Sequence, residues 1–274
     1  MIDLSNETMI HVKKNEVEFL QFRKLLEYPE LVHCYTLKAN NFDIAGNETY
    51  EERKELVDRN YTKLAETLQI PKETIIRPYQ THTNIVKRID EKEKKIEIFP
   101  KEFTNVDGLI TNQTGITCSL SFADCTPIYL YDPVKKVIGD IHSGWKGTLT
   151  RIGKVAIEGM IQEYGCNPKD IICCIGPCIR KCHFEVSKDV ADNFQNEFQE
   201  MEDIDEIITF LQGKDKYVID TCKINKNMMK EVGLLDENII DSGICSVCNS
   251  KQMHSYRAHK ELAGRNTAIL GMRK

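Results

Sequence analysis

Ala123-Asp124-Cys125-Thr126-Pro127-Ile128-Tyr129-Leu130-Tyr131-Asp132-Pro133 is followed, three residues on, by Val137-Ile138-Gly139-Asp140-Ile141-His142-Ser143-Gly144-Trp145-Lys146-Gly147. The apolar runs 128–131 and 137–142, joined through Asp132-Pro133, read as two short strands. One has a cysteine at its start and the other a histidine at its end. A rigid scaffold can hold two soft ligands close together in this way. A third candidate, His82 in Gln80-Thr81-His82-Thr83, follows the apolar run 74–79. One sulfur and two imidazoles without an obvious fourth partner describe a zinc site left open for chemistry.

Taken singly, each residue has a plainer reading: Cys125 a buried thiol, His142 a satisfied strand-end histidine, His82 a surface or core filler. The polar bend around Cys125 and the glycine-bracketed turn after His142 argue against it. That turn runs into a helix expected from Thr148, and free N–H groups at such an end suit phosphate, with Lys146 and Arg151 to reinforce it. A plain tight turn remains the competing reading.

The 274 residues can bury a sizeable core, and 41% hydrophobic with 29% charged residues reads as an ordinary globular protein. A net charge of −5 without a basic stripe argues against nucleic acid as a partner. No apolar stretch suits a bilayer and the first residues open no signal peptide, so no membrane partner is expected. Eleven cysteines, an odd number, fit reduced cytoplasmic thiols better than a disulfide framework. A monomer or weak homo-oligomer is expected.

Helical periodicity predicts helices over 15–28, 49–68, 148–164 and 187–198. Strand-like runs cover 31–37, 74–79, 85–89, 96–99, 108–111, 116–120, 128–131, 137–142, 171–175, 239–244 and 267–270. The charge run 90–95 suits an exposed hairpin. Strands outnumber helices and do not alternate with them, so the class is α+β. No Pro/Gly/Ser linker divides residues 1–274, which are expected to form a single domain.

A second cysteine-rich pair of segments competes for metal. Cys178-Ile179-Arg180-Lys181-Cys182-His183 and Cys245-Ser246-Val247-Cys248 hold the ingredients of a four-thiolate structural zinc site from Cys178, Cys182, Cys245 and Cys248. The Cys-x-x-Cys half is a fair knuckle signal and the Cys-x-x-x-Cys half a looser one. Cys34, Cys118, Cys166, Cys173, Cys174 and Cys222 read as core or incidental thiols.

At Gln80-Thr81-His82, Asp107-Gly108-Leu109-Ile110-Thr111, Ala123–Pro127, His142–Gly147, Ile175-Gly176-Pro177-Cys178-Ile179, Cys182-His183-Phe184-Glu185-Val186, Cys245, Ser255-Tyr256-Arg257 and Gly264-Arg265-Asn266 the chain resembles the YfiH-like family, once called the laccase-domain or multicopper polyphenol oxidase family. These segments run in family order from about residue 75 to the C-terminus. The resemblance implies a single α/β/β/α layered domain with mixed sheets and zinc on His82, Cys125 and His142. It also implies phosphorolysis of adenosine, inosine, guanosine and methylthioadenosine, with inorganic phosphate as co-substrate, and deamination of adenosine. Asp124 or Glu185 is then the expected proton shuttle, and Gln80, Lys146, Arg257 and Arg265 the expected substrate-binding residues. Two arginines of the family's amino-terminal half correspond to Leu37 and Tyr61 here, with Lys38 and Arg59 as the nearby cations.

Copper is the poorer fit, because the chain has seven histidines and no His-x-His pair. Two rival functions remain. One is a cysteine hydrolase with Cys125 as nucleophile, His142 as base and Asp140 or Asp124 as orienter. The other is a zinc-stabilised interaction module built on the later cysteine pairs.

Overall fold

The strands Thr126–Asp132 and Val137–Ser143 pair antiparallel, with Pro127 opposite His142 and Thr126 opposite Ser143. That register sets Cys125, one residue before its strand, beside the end of the histidine strand. The computed structural model describes residues 2–42, 50–90 and 103–274. The expected hairpin at 90–95, beyond Asp90, and the run 96–99 lie outside the described residues.

The pair belongs to a six-stranded mixed sheet with spatial order Ile239–Asp241, Ile172–Ile175, Thr126–Asp132, Val137–Ser143, Gly108–Thr111, Val86–Arg88. A second six-stranded mixed sheet runs Met9–Lys14, Val17–Phe22, Leu31–Thr36, Asn266–Met272, Ile116–Phe122, Ile75–Ile76. The inner faces of both sheets supply one core, in which Leu20, Tyr35, Phe122 and Leu270 meet Leu109, Tyr129, Ile138 and Ile172. Helix Tyr50–Leu68 covers the outer face of the second sheet through Val57, Tyr61 and Leu64. Helices Ile152–Tyr164 and Thr221–Glu231 cover the first through Ile152, Ile157, Met160 and Met229. The result is an α/β/β/α sandwich. A small three-stranded sheet, Glu185–Val186, Lys216–Ile219 and Ile208–Leu211, packs with helix Lys188–Glu197 around Phe194 and Phe198. Among the described residues, no helix is long and apolar enough to cross a membrane.

Two helix expectations are corrected. Residues 15–28 form strand Val17–Phe22 and a short turn of helix, not one amphipathic helix. Lys14 pairs with Val17, leaving a two-residue loop in which Asn15 and Glu16 both take positive φ (50° and 62°). That conformation matches the twist of a hairpin and ends any helix. Residues 148–164 are likewise interrupted: Trp145–Leu149 and Ile152–Tyr164 are separate helices, with Arg151 at φ 58° between them. Arg151 is held there by Glu197 (2.6 Å) and Glu231 (3.1 Å).

Candidate active site

His82, Cys125 and His142 come together at one end of the sandwich, their ligand atoms all within 4.8 Å of one another. Cys125 Sγ lies 3.7 Å from His82 Nε2, and the two imidazole centroids are 5.0 Å apart at 74°. A tetrahedral zinc with ordinary Zn–S and Zn–N bonds sets sulfur and nitrogen about 3.6 Å apart, so this donor set fits. Gly144 completes the fit, because a Cβ there would lie 2.6 Å from His82 Cδ2 and 3.3 Å from Cys125 Sγ.

Asp107, buried at the entry to strand Gly108–Thr111, organises two of the three donors. Its carboxylate lies 2.8 Å from His142 Nδ1, which fixes the ring and leaves Nε2 for a ligand. The same carboxylate accepts from the backbone N–H groups of Thr81 (3.2 Å), His82 (3.0 Å) and Thr83 (2.8 Å), and from the Thr83 hydroxyl (2.8 Å). These bonds hold His82 at φ 65°, a conformation that costs energy for a residue with a Cβ. Burial pushes the Asp107 carboxyl up, but the hydrogen bond and charge of His142 and the Thr83 donors outweigh it and bring the group to about 2. Burial also pushes the Cys125 thiol up, yet the charge of His142 and hydrogen bonds from both imidazoles lower it to about 6. His142 rises to about 9: against its burial stand the Cys125 thiolate and Asp107.

The expected orienters are therefore corrected. Asp140 faces the core between the sheets, and neither of its carboxylate oxygens has a hydrogen-bond partner among the described residues. It shares a strand face with His142 but stands two residues back along the strand, and the His142 Nδ1 position is already taken by Asp107 at 2.8 Å. Asp124 is adjacent to Cys125 but braces the backbone. Its Oδ1 accepts from Ser246 Oγ and its Oδ2 from the Arg257 N–H, both at 2.6 Å, while its carbonyl accepts from Ile179 N–H. Those bonds sustain its φ of 89°.

The donors open onto a cavity of about 990 Å³, of the size that takes a small organic ligand. Trp145, Ile179, Phe184, Val186 and Tyr256 give it apolar wall, and Arg77, Arg257, Lys260 and Arg265 give it cations. Arg257 donates to the His183 carbonyl (2.7 Å), and Arg265 to the carbonyls of Ala263 and Gly264. Gln80 lines the cavity with its amide paired to the Ser121 backbone in both directions. Glu185 lines it too, ion-paired to Lys214 at 2.9 Å, which holds its carboxyl below the ordinary value.

Of the expected phosphate turn, Ser143 and Trp145 line the cavity and Lys146 does not. Lys146 is exposed and absent from the cavity lining, its ammonium 5.5 Å from the Trp145 ring. Helix Trp145–Leu149 is one short turn, and Arg151 is engaged with two glutamates elsewhere. Leu37 and Tyr61 are core residues, Arg59 is exposed, and Lys38 meets His259; none of them lines the cavity. The lining cations that the sequence reading missed are Arg77, three residues before Gln80, and Lys260, three after Arg257.

The four-thiolate grouping is corrected as well. Cys178 is buried with its sulfur 3.1 Å from Cys222, while the cluster that forms is Cys182, His183, Cys245 and Cys248. Cys178 bridges to Cys245 through the backbone, which turns its side chain into the core under the first sheet.

A layered α/β/β/α protein with an open, soft three-donor cluster beneath an aromatic and cationic cavity is the class these observations define. The family model described as Multi-copper polyphenol oxidoreductase laccase matches residues 39–273, and the chain belongs to that family. It is 30% identical over 259 residues to a protein of Bacteroides thetaiotaomicron named Purine nucleoside phosphorylase, covering 91% of this chain and 94% of the relative. It is 31% identical over 254 residues, 88% and 93% of the two chains, to Adenosine deaminase RL5 of an unknown prokaryotic organism. Against the human protein named Purine nucleoside phosphorylase LACC1 it is 29% identical over 226 residues, 81% of this chain, and spans 49% of that protein's length. The fold is that of the Bacillus licheniformis hypothetical protein YfiH, with a TM-score of 0.86, 22% identity, and coverage of 98% of this chain and 100% of that one.

Proposed function

We propose that this chain is a zinc-dependent enzyme of purine nucleoside metabolism. It phosphorolyses adenosine, inosine, guanosine and methylthioadenosine to free base and ribose-1-phosphate, and deaminates adenosine. The observation that carries the reading is the convergence of His82, Cys125 and His142 beneath one aromatic and cationic cavity. The names of the relatives, phosphorylase and adenosine deaminase, point to the same chemistry.

Bound there, zinc would act as a Lewis acid and activate water near neutral pH. The chain's own residues do the rest. Asp107 orients His142 and the His82 loop, so two donors are fixed before substrate enters. Trp145, Phe184 and Tyr256 offer flat apolar surface for a purine. In phosphorolysis a phosphate oxygen bonds to ribose C1′ as the C1′–N9 bond breaks, and the purine takes a proton. Arg77, Arg257, Lys260 and Arg265 supply the charge to hold the anion in line. In deamination water adds at C6 and ammonia leaves. Asp124 acts as a positioning residue, tying the Arg257 backbone to the cysteine bend.

A second reading has an observation in its favour: Cys125, His142 and Asp107 stand in the order of a nucleophile–base–orienter relay. One assay separates the two. Zinc-loaded protein is incubated with adenosine, with and without phosphate, and the products are resolved by chromatography. Adenine that appears only with phosphate, together with inosine in both samples, supports the nucleoside reading. Neither product, with rapid iodoacetamide alkylation of Cys125 that zinc does not block, supports the hydrolase and overturns it.

A further inference from the structure

We propose that Cys182, His183, Cys245 and Cys248 form a second, closed zinc site that staples two loops behind the cavity. The cluster lies outside the His82 centre, and its donor set is complete: three sulfurs and one imidazole. Cys182 Sγ is 3.6 Å from Cys245 Sγ and 3.9 Å from Cys248 Sγ. His183 Nδ1 is 3.1, 3.7 and 3.6 Å from the sulfurs of Cys182, Cys245 and Cys248. A tetrahedral zinc spaces its sulfurs by about 3.8 Å and sulfur from nitrogen by about 3.6 Å, which these separations match with one short edge. None of the sulfurs is in a disulfide.

The backbone is built for an ion before one arrives. Residues 245–248 form a knuckle closed by Asn249, whose backbone N–H (3.1 Å) and side-chain amide (2.9 Å) both donate to the Cys245 carbonyl. The other loop is anchored by the two-pronged Arg180–Asp241 ion pair at 2.6 and 2.7 Å. The two loops already touch through the Cys178–Cys245 bridge and the Ser246 N–H to Cys178 carbonyl bond (2.9 Å). Cys182 and Cys248 are exposed, so an ion and its transfer partners can reach them. Four protein donors leave no corner for substrate, which makes the role structural.

The staple reaches the cavity through three short links. His183 precedes the lining residues Phe184, Glu185 and Val186, and its carbonyl holds the Arg257 side chain. Ser246, inside the knuckle, donates to Asp124 beside Cys125. That consequence rests on the nucleoside reading; the zinc site itself does not.

Metal content of the full chain tests it. The wild type is expected to hold two zinc ions per chain, and Cys125→Ala one. Cobalt(II) loaded into Cys125→Ala is expected to show the intense visible bands of tetrahedral thiolate coordination, with no change made at the proposed ligands. Cys248→Ser should then lose those bands, and its Tm should no longer rise on adding zinc. No metal in Cys125→Ala, or an intact mass two hydrogens light from a disulfide among Cys182, Cys245 and Cys248, would overturn the staple whether or not nucleosides are turned over.

Discussion

Two soft-donor clusters form in this chain, one of two imidazoles and a sulfur and the other of three sulfurs and an imidazole, and the second has one donor more. His82, Cys125 and His142 present three ligands on the floor of an open cavity, each carried by a different strand end or loop. Cys182, His183, Cys245 and Cys248 present four from two adjacent loops, away from that floor. Three ligands leave a position for water or substrate, and four leave none. The supports differ in the same sense. The open cluster is held by a buried carboxylate and two residues at positive φ, whereas the closed one is held by a knuckle of backbone bonds. Strain and buried charge gather where chemistry is expected.

Changes at the open cluster should break that contrast most. Cys125→Ala removes a ligand and is expected to lower nucleoside turnover by more than about a hundredfold, beyond the usual loss for a supporting partner. Circular dichroism and retention of the second zinc would show that the fold survives. Asp107→Asn keeps the shape but removes the charge that orients His142. Zinc affinity and turnover should both fall by about 10–100-fold, read by chelator competition and steady-state kinetics. Gly144→Ala puts a methyl against His82 and should cost turnover about tenfold through displacement of that ring, with the closed cluster's cobalt spectrum unchanged. Lys146→Ala should be nearly silent, within about twofold for phosphorolysis and deamination alike, because its side chain is exposed outside the cavity. A selective loss of phosphorolysis there would restore the glycine turn as the phosphate site.

The three donors were legible in the sequence because two of them sit at the ends of continuous apolar runs with a short join, which leaves little freedom in register. Asp107 was harder to see. It lies in a strand-entry segment like many others, and only the folded path of residues 81–83 brings three N–H groups to it. Asp140 and Asp124 misled because proximity along the chain stood in for contact: Asp107, distant in sequence, takes the His142 Nδ1, and the Asp124 carboxylate is spent on Ser246 and the Arg257 N–H. Helix Thr221–Glu231 escaped notice since Cys222, Asn225, Met228 and Met229 fill buried positions where Leu or Ile would have marked the period. The hairpin at 14–17 was read as a helix for the opposite reason: strand Val17–Phe22 is buried on both faces, Val17 and Phe19 in one core and Leu20 and Phe22 in the other, so no alternation opposes the helical spacing of Val17, Leu20 and Leu25. The fourth ligand of the closed cluster was misassigned to Cys178 because residue type counted for more than which way an extended segment faces.

Anomalous diffraction at the zinc edge from crystals of zinc-loaded protein tests the contrast most directly. Two peaks are predicted: one bound by His82, Cys125 and His142 with its last position facing the cavity, the other enclosed by Cys182, His183, Cys245 and Cys248. A side chain filling that last position, or no peak between His82, Cys125 and His142, would contradict it.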